Sequence, residues 1–356
     1  MSRDMRDTES TARALVAKGK GILAADESVS TLTKRFDALG IRSTEQSRRT
    51  YREMLFTAPG AAEFISGVIM YDETIRQKSS AGTPLSQVLS SQGVVPGIKV
   101  DTGAKPLAGS PGETVTEGLD GLRDRLAEYR GMGARFAKWR AVIHVTDLLP
   151  SPACVSANAH ALARYAALCQ EAGLVPIVEP EVLMDGSHTI ERCEEVTGAV
   201  LHAVFRALFE QRISLESMLL KPNMVIAGKE SPRQASVQEV ATATLRCLRR
   251  HVPAAVSGIV FLSGGQSDRV ATAHLNAMNR LPESRPWTLS FSYGRALQDP
   301  ALEAWHGRDE NVKSGQEALS HRARCNGAAS LGTYTDEMET TATGIGNAAQ
   351  REWQDD

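Results

Sequence analysis

Short apolar runs alternate with longer segments of helical spacing along the whole chain. Each run is rich in Val, Ile, Leu and Ala and is too short for a buried helix, so we predict a strand at each one. The eight runs lie at 21–26, 67–72, 94–101, 134–143, 175–183, 218–225, 258–264 and 287–294. Segments with helical periodicity lie between them, including 158–172, 196–211 and 237–251. Strands separated by helices pair in parallel, because a crossover helix returns the chain to the same end of the sheet.

Eight strand–helix units favour a closed (β/α)8 barrel, the α/β fold known as the TIM barrel, over an open doubly wound sheet. A doubly wound sheet would show a G-x-G-x-x-G turn after its first strand, and the sequence has none there. No linker or shift in composition divides the interior, so we predict a single barrel domain at 1–331. The last 25 residues, 332–356, are dominated by Thr, Ala, Gly and Glu, with Trp353 as the one possible anchor. We therefore predict a flexible C-terminal tail there.

Composition and charge narrow the class of protein. With 42% apolar and 23% charged residues, the chain of 356 residues can bury a large core. Its 40 Lys and Arg against 42 Asp and Glu give a net charge of -2, so we expect no nucleic-acid partner. Five scattered cysteines without a C-x-x-C pair indicate reduced thiols and a cytoplasmic location. The N-terminal residues MSRDMRDTES lack the apolar core of a signal peptide, and no apolar stretch is long enough for a membrane span.

Charged residues occur inside several predicted strands, where an unpaired charge is costly. They are Lys99 in the third run, Lys138 and Arg140 in the fourth, Glu179 and Glu181 in the fifth, and Lys221 in the sixth. Glu179 follows Lys138 by 41 residues and precedes Lys221 by 42, which is about one strand–helix unit in each case. These three side chains are therefore expected at a similar height on successive strands.

The alternation of side chains along a strand predicts which residues share a face. Lys138 is expected on the same face as Phe136 and on the opposite face from Trp139. By the same rule Lys221 is expected to share a face with Asn223. Neighbouring strands would then direct the charged side chains into one mouth of the barrel.

Two interpretations of this charged cluster are open. The residues could form ion pairs that stabilise a polar barrel core. Alternatively, a partly desolvated lysine beside a second cation loses its proton readily and becomes a nucleophilic amine that attacks carbonyls. Lys221 is the candidate amine because Pro222 holds it in the extended conformation of a strand end. Lys138 would be the neighbouring cation, and Glu179 could shuttle protons as a Schiff base forms.

Two later segments suit phosphate binding. LSGGQ at 262–266 ends the seventh run, where backbone N–H groups and the Ser263 hydroxyl can surround an oxyanion. FSYGRA at 291–296 ends the eighth run with Arg295, whose planar guanidinium matches phosphate. Phosphate sites after strands seven and eight recur in this barrel, although an SGG sequence alone is more often a simple turn.

Asp26 ends the first run and could act as a general base. It could equally cap the helix that follows, a role for which Ser28 and Ser30 compete.

The histidines give no sign of a metal site. Four of the eight, His144, His160, His188 and His202, show neither H-E-x-x-H spacing nor a cluster with cysteines. We expect neither a catalytic metal nor another cofactor.

Together these segments resemble the class I fructose-bisphosphate aldolases. The resemblance runs from residue 19 to 334 through GKGILAADES, PGIKVD, FAKWR, PIVEPEVL, LLKPNMV, FLSGGQS and FSYGRALQ, in the order of the family. It implies a (β/α)8 barrel, usually a homotetramer, that acts on sugar phosphates in glycolysis and gluconeogenesis. The implied reaction is reversible cleavage of fructose 1,6-bisphosphate to dihydroxyacetone phosphate and glyceraldehyde 3-phosphate through a lysine Schiff base, without a metal.

The resemblance also implies residue roles. Lys221 would form the Schiff base, Glu179 would exchange protons during imine formation, and Asp26 would accept the proton of the C4 hydroxyl. Lys138 would support the amine and bind substrate. The implied phosphate ligands are Ser263, Gly264, Gly265, Ser292 and Arg295 for one phosphate and Arg35 and Lys99 for the other, with Arg140 and Glu181 as supporting members.

The sequence departs from the family in two places. After ADES the family commonly has Thr-Gly-Ser, whereas Val29, Ser30 and Thr31 stand here, which reduces the freedom of the loop. Many members end in a tyrosine that helps to protonate the enamine. This sequence ends in Asp356 and has only Trp353 as a late aromatic residue, so it assigns no residue to that role.

Two other functions compete with this interpretation. One is a barrel that serves as a non-catalytic or regulatory scaffold. The other is a Schiff-base aldolase for a related sugar phosphate. The two apparent phosphate sites favour a bisphosphate substrate over that alternative.

Overall fold

A closed barrel of eight parallel strands forms the centre of the computed structural model, which describes residues 3–282 and 284–340. The strands, two of which lie outside the barrel, are β1 Gly21–Ala25, β2 Ile65–Met70, β3 Val95–Lys99, β4 Gly103–Pro106, β5 Thr114–Glu117, β6 Phe136–Ile143, β7 Val175–Val182, β8 Leu219–Leu220, β9 Gly258–Phe261 and β10 Thr288–Tyr293. Around the barrel the order is β1, β10, β9, β8, β7, β6, β3, β2, with β2 pairing with β1 to close it. This arrangement confirms the predicted (β/α)8 fold.

Helices flank the barrel strands along the chain. They are α1 Arg3–Leu15, α2 Val29–Asp37, α3 Glu45–Phe56, α4 Asp72–Arg76, α5 Leu85–Ser91, α6 Leu122–Gly131, α7 Pro152–Glu171, α8 Ile190–Glu210, α9 Val237–His251, α10 Asp268–Arg280, α11 Arg295–Trp305, α12 Val312–Ser330 and α13 Glu337–Thr340. Helices α2 to α10 lie between barrel strands along the chain, α1 precedes the first strand, and α11 to α13 follow the last. Local sequence fixes several of their starts. In α9, for example, the Ser236 side chain accepts from the N–H of Glu239, and the Glu239 carboxylate accepts from the N–H of Ser236.

Each of the eight predicted runs overlaps one barrel strand, but two details differ from the prediction. The sixth run yields a strand of only two residues, because Pro222 follows Lys221 directly and cannot donate a ladder hydrogen bond. The antiparallel hairpin of β4 and β5 was not predicted. Its strands GAKP and TVTE are mostly polar or exposed and carry no apolar run.

Side chains of the strands divide into two apolar layers. Phe136 packs inside the barrel with Ile22 and Leu219, whereas Trp139 belongs to the larger core between the strands and the helices. Both aromatic side chains are fully buried. The predicted alternation along the fourth run is therefore confirmed.

The first helix closes the amino-terminal end of the barrel. Leu15 and Val16 belong to the apolar layer inside the barrel, and Val16 lies against Gly258, the first residue of β9. The Thr8 hydroxyl donates to the hydroxyl of Ser217, just before β8. With this end filled by α1, the carboxyl ends of the strands form the open mouth.

The predicted tail begins inside the packed part of the chain. Tyr334 is buried, and Glu339 forms ion pairs with Arg322 and Arg269. Residues 332–340 thus lie against the barrel, while 341–356, including Trp353, lie outside the described residues. The five cysteines are all buried and unpaired. No helix in the described part of the chain is long and apolar enough to span a bilayer.

Leu15→Ala should lower the free energy of unfolding by about 2–5 kcal/mol, because it opens a cavity where α1 fills the barrel. Leu148→Ala is the matched control, since the Leu148 side chain is 89% exposed and its removal leaves no cavity. Urea titrations of both variants measure the difference. Equal stability of the two variants would show that α1 does not support the barrel.

Candidate active site

Four charged side chains from β6, β7 and the residues after β1 and β8 meet in the barrel, and we call them the four-charge cluster. Lys138 Nζ lies 2.7 Å from Asp26 Oδ2 and 3.4 Å from Glu179 Oε2. Lys221 Nζ lies 3.2 Å from the other oxygen of the same carboxylate, Glu179 Oε1. The side chains of Lys138, Glu179 and Lys221 are at most 5% exposed, and that of Asp26 is 12% exposed. Negative and positive groups therefore alternate from Asp26 to Lys221, and all four side chains are largely buried.

The strands β6 and β7 position the centre of this cluster. Lys138 lies two residues from Phe136, whose side chain packs inside the barrel, so the lysine points to the same interior. Lys221 follows β8 directly, and its backbone N–H still donates to the carbonyl of Val178 in β7 at 2.8 Å. This hydrogen bond fixes the backbone of Lys221 beside the strand that carries Glu179.

Asn223 does not share the face of Lys221, contrary to the prediction. Its side-chain amide donates to Thr197 Oγ1 of α8 at 3.1 Å and accepts from the N–H of Val182 at 3.1 Å. The regular alternation ends with β8 because Pro222 interrupts the strand. Asn223 therefore ties the chain after β8 to the surrounding helix layer.

Ser28, not Asp26, caps the helix that follows β1. The Ser28 side chain accepts from the N–H of Thr31 in the first turn of α2. Val29, Ser30 and Thr31, which depart from the family pattern, form this first turn. Asp26 is thereby left to pair with Lys138 in the barrel mouth.

The pairing keeps the central groups charged. Burial by itself raises the pKa of Asp26, but attraction by Lys138 and Lys221 outweighs it and lowers the pKa from 3.8 to about 2. Burial by itself lowers the pKa of Lys138, but attraction by Asp26 and Glu179 outweighs it and raises the pKa above its usual value. Lys138 is thus the permanent cation of the cluster.

Glu179 has one carboxylate oxygen that forms an ion pair but no hydrogen bond with the described residues. Its Oε2 atom is buried and lies at ion-pair distance from Lys138, yet it makes no hydrogen bond with any described group. A buried carboxylate oxygen without a hydrogen bond is costly unless a ligand completes it. The carboxylate can therefore serve both lysines and also contact a bound molecule.

Two further ion pairs lie near this cluster, one at the end of β3 and the other between β6 and β7. Lys99 Nζ contacts Asp101 Oδ1 at 2.8 Å, and the guanidinium of Arg140 donates to Glu181. Asp101 also accepts from the backbone N–H of Arg140 at 3.3 Å, which connects the two pairs. Asp101 was not among the predicted site residues, although its place at the end of the third run, like that of Asp26 at the end of the first, was a usable signal.

The loops after β9 and β10 bring the predicted phosphate ligands together. Gly264 and Gly265 have φ values of 62° and 87°, a left-handed backbone that exposes successive N–H groups. A Cβ atom added to Gly265 would lie 3.0 Å from Nη2 of Arg295, the first residue of α11. Ser263 is buried, and the buried Ser292 hydroxyl has no hydrogen-bond partner among the described residues.

Arg35 is a predicted site residue whose partners in the structure lie outside the four-charge cluster. Its guanidinium on α2 contacts Glu27 and Gln298 and pairs with Asp299 Oδ1 at 2.7 Å. Burial lowers the pKa of Arg35, but Glu27 and other neighbours outweigh this effect and raise it. Within the described part of the chain, Arg35 makes no contact with the four-charge cluster.

A group of potential metal ligands also occurs away from the barrel mouth. Ligand atoms of His321, Cys325 and Glu339 lie within 4.8 Å of one another. However, Arg322 Nη1 donates to both carboxylate oxygens of Glu339 at 2.6 Å, and the Tyr334 hydroxyl donates to Glu339 at 2.8 Å. Because the carboxylate of Glu339 is already paired with a cation, we interpret this group as an anchor for residues 332–340 and not as a metal site.

Comparison with known proteins gives consistent results. A family model described as fructose-bisphosphate aldolase class-I matches residues 7–351. A probable fructose-bisphosphate aldolase class 1 of Xanthomonas campestris pv. campestris is 58% identical over 325 residues, which is 91% of this chain and 97% of the relative. Fructose-bisphosphate aldolase of Dictyostelium discoideum is 54% identical over 334 residues and 93% of either chain.

A solved structure extends the comparison to three dimensions. Fructose-bisphosphate aldolase of Plasmodium falciparum, crystallised with TRAP and a small-molecule inhibitor, superposes with a TM-score of 0.92 at 47% identity. The alignment covers 94% of this chain and 97% of that chain.

The depressed pKa of Asp26 predicts a pH-dependent contribution to stability. The carboxylate stabilises the folded state fully above about pH 5, and this contribution is lost as the pH falls through 3.8 towards 2. The stability advantage of the wild-type protein over Asp26→Asn should therefore shrink by about 1 kcal/mol between pH 5.5 and pH 3. Urea unfolding at the two pH values measures this change.

Asp120→Asn removes an exposed carboxylate and is the control, for which we expect the same difference from wild type at both pH values. A difference for Asp26→Asn that also stays constant with pH would contradict the ion pair with Lys138.

Proposed function

The chain belongs to the class I fructose-bisphosphate aldolase family, and from that membership we propose how its residues perform the cleavage. The reaction converts fructose 1,6-bisphosphate reversibly to dihydroxyacetone phosphate and glyceraldehyde 3-phosphate. The observation that carries the proposal is the single carboxylate of Glu179, which lies between the amines of Lys221 and Lys138 in the open mouth of the barrel.

Imine formation begins on Lys221. Transfer of its ammonium proton to Glu179 leaves a free amine, whose nitrogen attacks the C2 carbonyl of the ketose to give a carbinolamine. Glu179 then returns the proton to the C2 hydroxyl, which leaves as water, and the product is a protonated imine. Lys138 stays charged beside Glu179. Its ammonium group stabilises the negative charge that develops on the C2 oxygen atom of the substrate.

Carbon–carbon cleavage follows from the charge of this imine. Asp26 takes the proton of the C4 hydroxyl, the C3–C4 bond breaks towards the iminium, and the aldehyde product leaves an enamine on Lys221. A carboxylate with a pKa of about 2 is a weak base, so its protonation must be coupled to neutralisation of the iminium. The enamine gains a proton at C3, which balances the proton that Asp26 took from the C4 hydroxyl and later releases. Hydrolysis of the imine then releases dihydroxyacetone phosphate and restores Lys221.

Binding of its two phosphate groups by the protein holds the sugar in place during these steps. We assign one phosphate to the loops after β9 and β10, where the geometry around Gly265 and the free Ser292 hydroxyl support it. The residues in this assignment are Ser263, Gly264, Gly265, Ser292 and Arg295. Lys99 and Arg35 would assist at the other phosphate, for which Arg35 must exchange Asp299 for the ligand. Arg140 and Glu181 support the cluster from β6 and β7.

Assembly and location are proposed from the family. We propose a homotetramer in the cytoplasm that serves glycolysis and gluconeogenesis. A relative named fructose-bisphosphate aldolase 6, cytosolic, of Arabidopsis thaliana, 55% identical over 321 residues, supports the location. The buried, unpaired thiols of the chain fit a reducing compartment.

Borohydride added with dihydroxyacetone phosphate should reduce the imine and attach the ligand covalently to Lys221. Mass spectrometry of the labelled peptide identifies the lysine. Lys221→Met should take no label and lose cleavage activity by roughly a thousandfold or more while it still folds. A metal chelator should leave the activity of the wild-type protein unchanged.

Lys313→Met is the matched control, because the Lys313 side chain is 86% exposed on α12, and we expect normal labelling and activity. Labelling of a lysine other than Lys221, or no labelling with a folded and active protein, would contradict the proposed mechanism. No labelling and no activity would favour a non-catalytic barrel.

A further inference from the structure

Lys229 lies in the loop after β8, and the loop after β7 holds its backbone in place. The N–H of Lys229 donates to the carbonyl of Met184 at 2.7 Å. On either side, Gly228 donates to His188 at 2.9 Å and Glu230 donates to Gly186 at 3.0 Å. Three consecutive hydrogen bonds thus join the two loops at the mouth of the barrel.

The contact between these loops requires a glycine at position 228. A Cβ atom there would lie 2.1 Å from the carbonyl oxygen of Gly186, closer than any side chain can approach. The position of the Lys229 backbone is therefore fixed by packing rather than left to a free loop.

The side chain of Lys229 reaches the phosphate loop after β9. A Cβ atom on Gly265 would lie 3.3 Å from Lys229 Nζ and 3.0 Å from Arg295 Nη2. The ammonium and guanidinium groups therefore flank the same glycine, near enough for one phosphate to contact both. Because Gly265 has no side chain, the space between the two cations stays open.

Lys229 forms an ion pair with Asp185 in this structure. Its Nζ lies 3.0 Å from Asp185 Oδ1, and the side chains of Lys229 and Asp185 are 43% and 62% exposed. Exposed ion pairs are weak, so a dianion can displace the carboxylate readily. A phosphate that is also held by Arg295 and backbone N–H groups would be the stronger partner.

We propose that Lys229 is a further substrate-binding residue, which exchanges Asp185 for the phosphate of the sugar bisphosphate held by Arg295. The exchange rests on the proposed phosphate site of the preceding section and deepens it. Lys229 supplies a mobile point charge, whereas Arg295 supplies a planar guanidinium that fixes two phosphate oxygens. Asp185 keeps the ammonium group near the site between turnovers and competes with the ligand for it.

Steady-state kinetics with fructose 1,6-bisphosphate tests the exchange. Lys229→Met should raise KM about tenfold and change kcat less than about twofold, since one charge-assisted contact is lost away from the reacting atoms. The inhibition constant of inorganic phosphate should rise by a similar factor. Lys229→Arg keeps the charge and should stay within about threefold of the wild-type KM, and Lys313→Met, an exposed lysine on α12, should not change it.

Asp185→Asn separates phosphate binding from a purely structural ion pair. If the pair only joins the loops, Asp185→Asn and Lys229→Met break the same interaction and should raise KM equally, and this result would overturn the proposal. If Lys229 binds phosphate, Asp185→Asn removes a competitor, so KM should stay the same or fall.

Arg295→Ala distinguishes failure of this proposal from failure of the phosphate site itself. A raised KM in Arg295→Ala with an unchanged KM in Lys229→Met would overturn the role of Lys229 and leave the site in place. An unchanged KM in both variants would remove the phosphate from these loops altogether.

Discussion

One buried carboxylate shared by two lysines is the interaction on which the site depends. Bringing a single ion out of water costs several kcal/mol, and Glu179, which lies between Lys138 and Lys221, offsets this cost for both lysines. Asp26 supplies a second negative charge, which pairs with Lys138 on the side away from Lys221. In the proposed mechanism Lys221 passes its proton to Glu179, so two charges disappear together and the net charge of the buried cluster stays the same. This transfer would leave a nucleophilic amine inside the barrel.

The two ends of the barrel have different roles: one provides packing and the other carries the charged cluster. Apolar side chains and α1 fill the amino-terminal end, where Leu15 and Phe136 pack together with other apolar residues. The strands are thus held at fixed spacing without help from the mouth. Beyond this apolar layer, β6, β7 and the residue after β8 each contribute one charged group of the cluster. Stability and chemistry are separated along the barrel axis, as is general for this fold.

Much of the fold and the centre of the site could be predicted because they follow from local periodicity. Eight short apolar runs specify eight barrel strands, and the period-two alternation places Lys138 with Phe136 in the interior. The prediction was wrong for Asn223 because Pro222 ends the strand, after which the alternation no longer applies. The hairpin of β4 and β5 was missed because exposed, polar strands leave no apolar pattern.

Contacts between distant loops explain what the sequence could not reveal. Nothing local indicates that Lys229 reaches both Asp185 and Gly265, or that Arg35 is tied to Glu27 and Asp299. Such partners are set by how the loops after successive strands pack against each other. A motif can indicate which residues form a site, but the resting partners of each charge appear only in three dimensions.

The rate of imine formation in Glu179→Gln tests the central claim most directly. Glutamine keeps the shape of the side chain but cannot exchange the proton, so rapid quenching with dihydroxyacetone phosphate should show imine formation slowed by about a hundredfold or more. Glu317→Gln, which changes a partly exposed glutamate on α12, should form the imine at the wild-type rate. A folded Glu179→Gln protein that forms the imine as fast as wild type would contradict the shared carboxylate as the proton carrier.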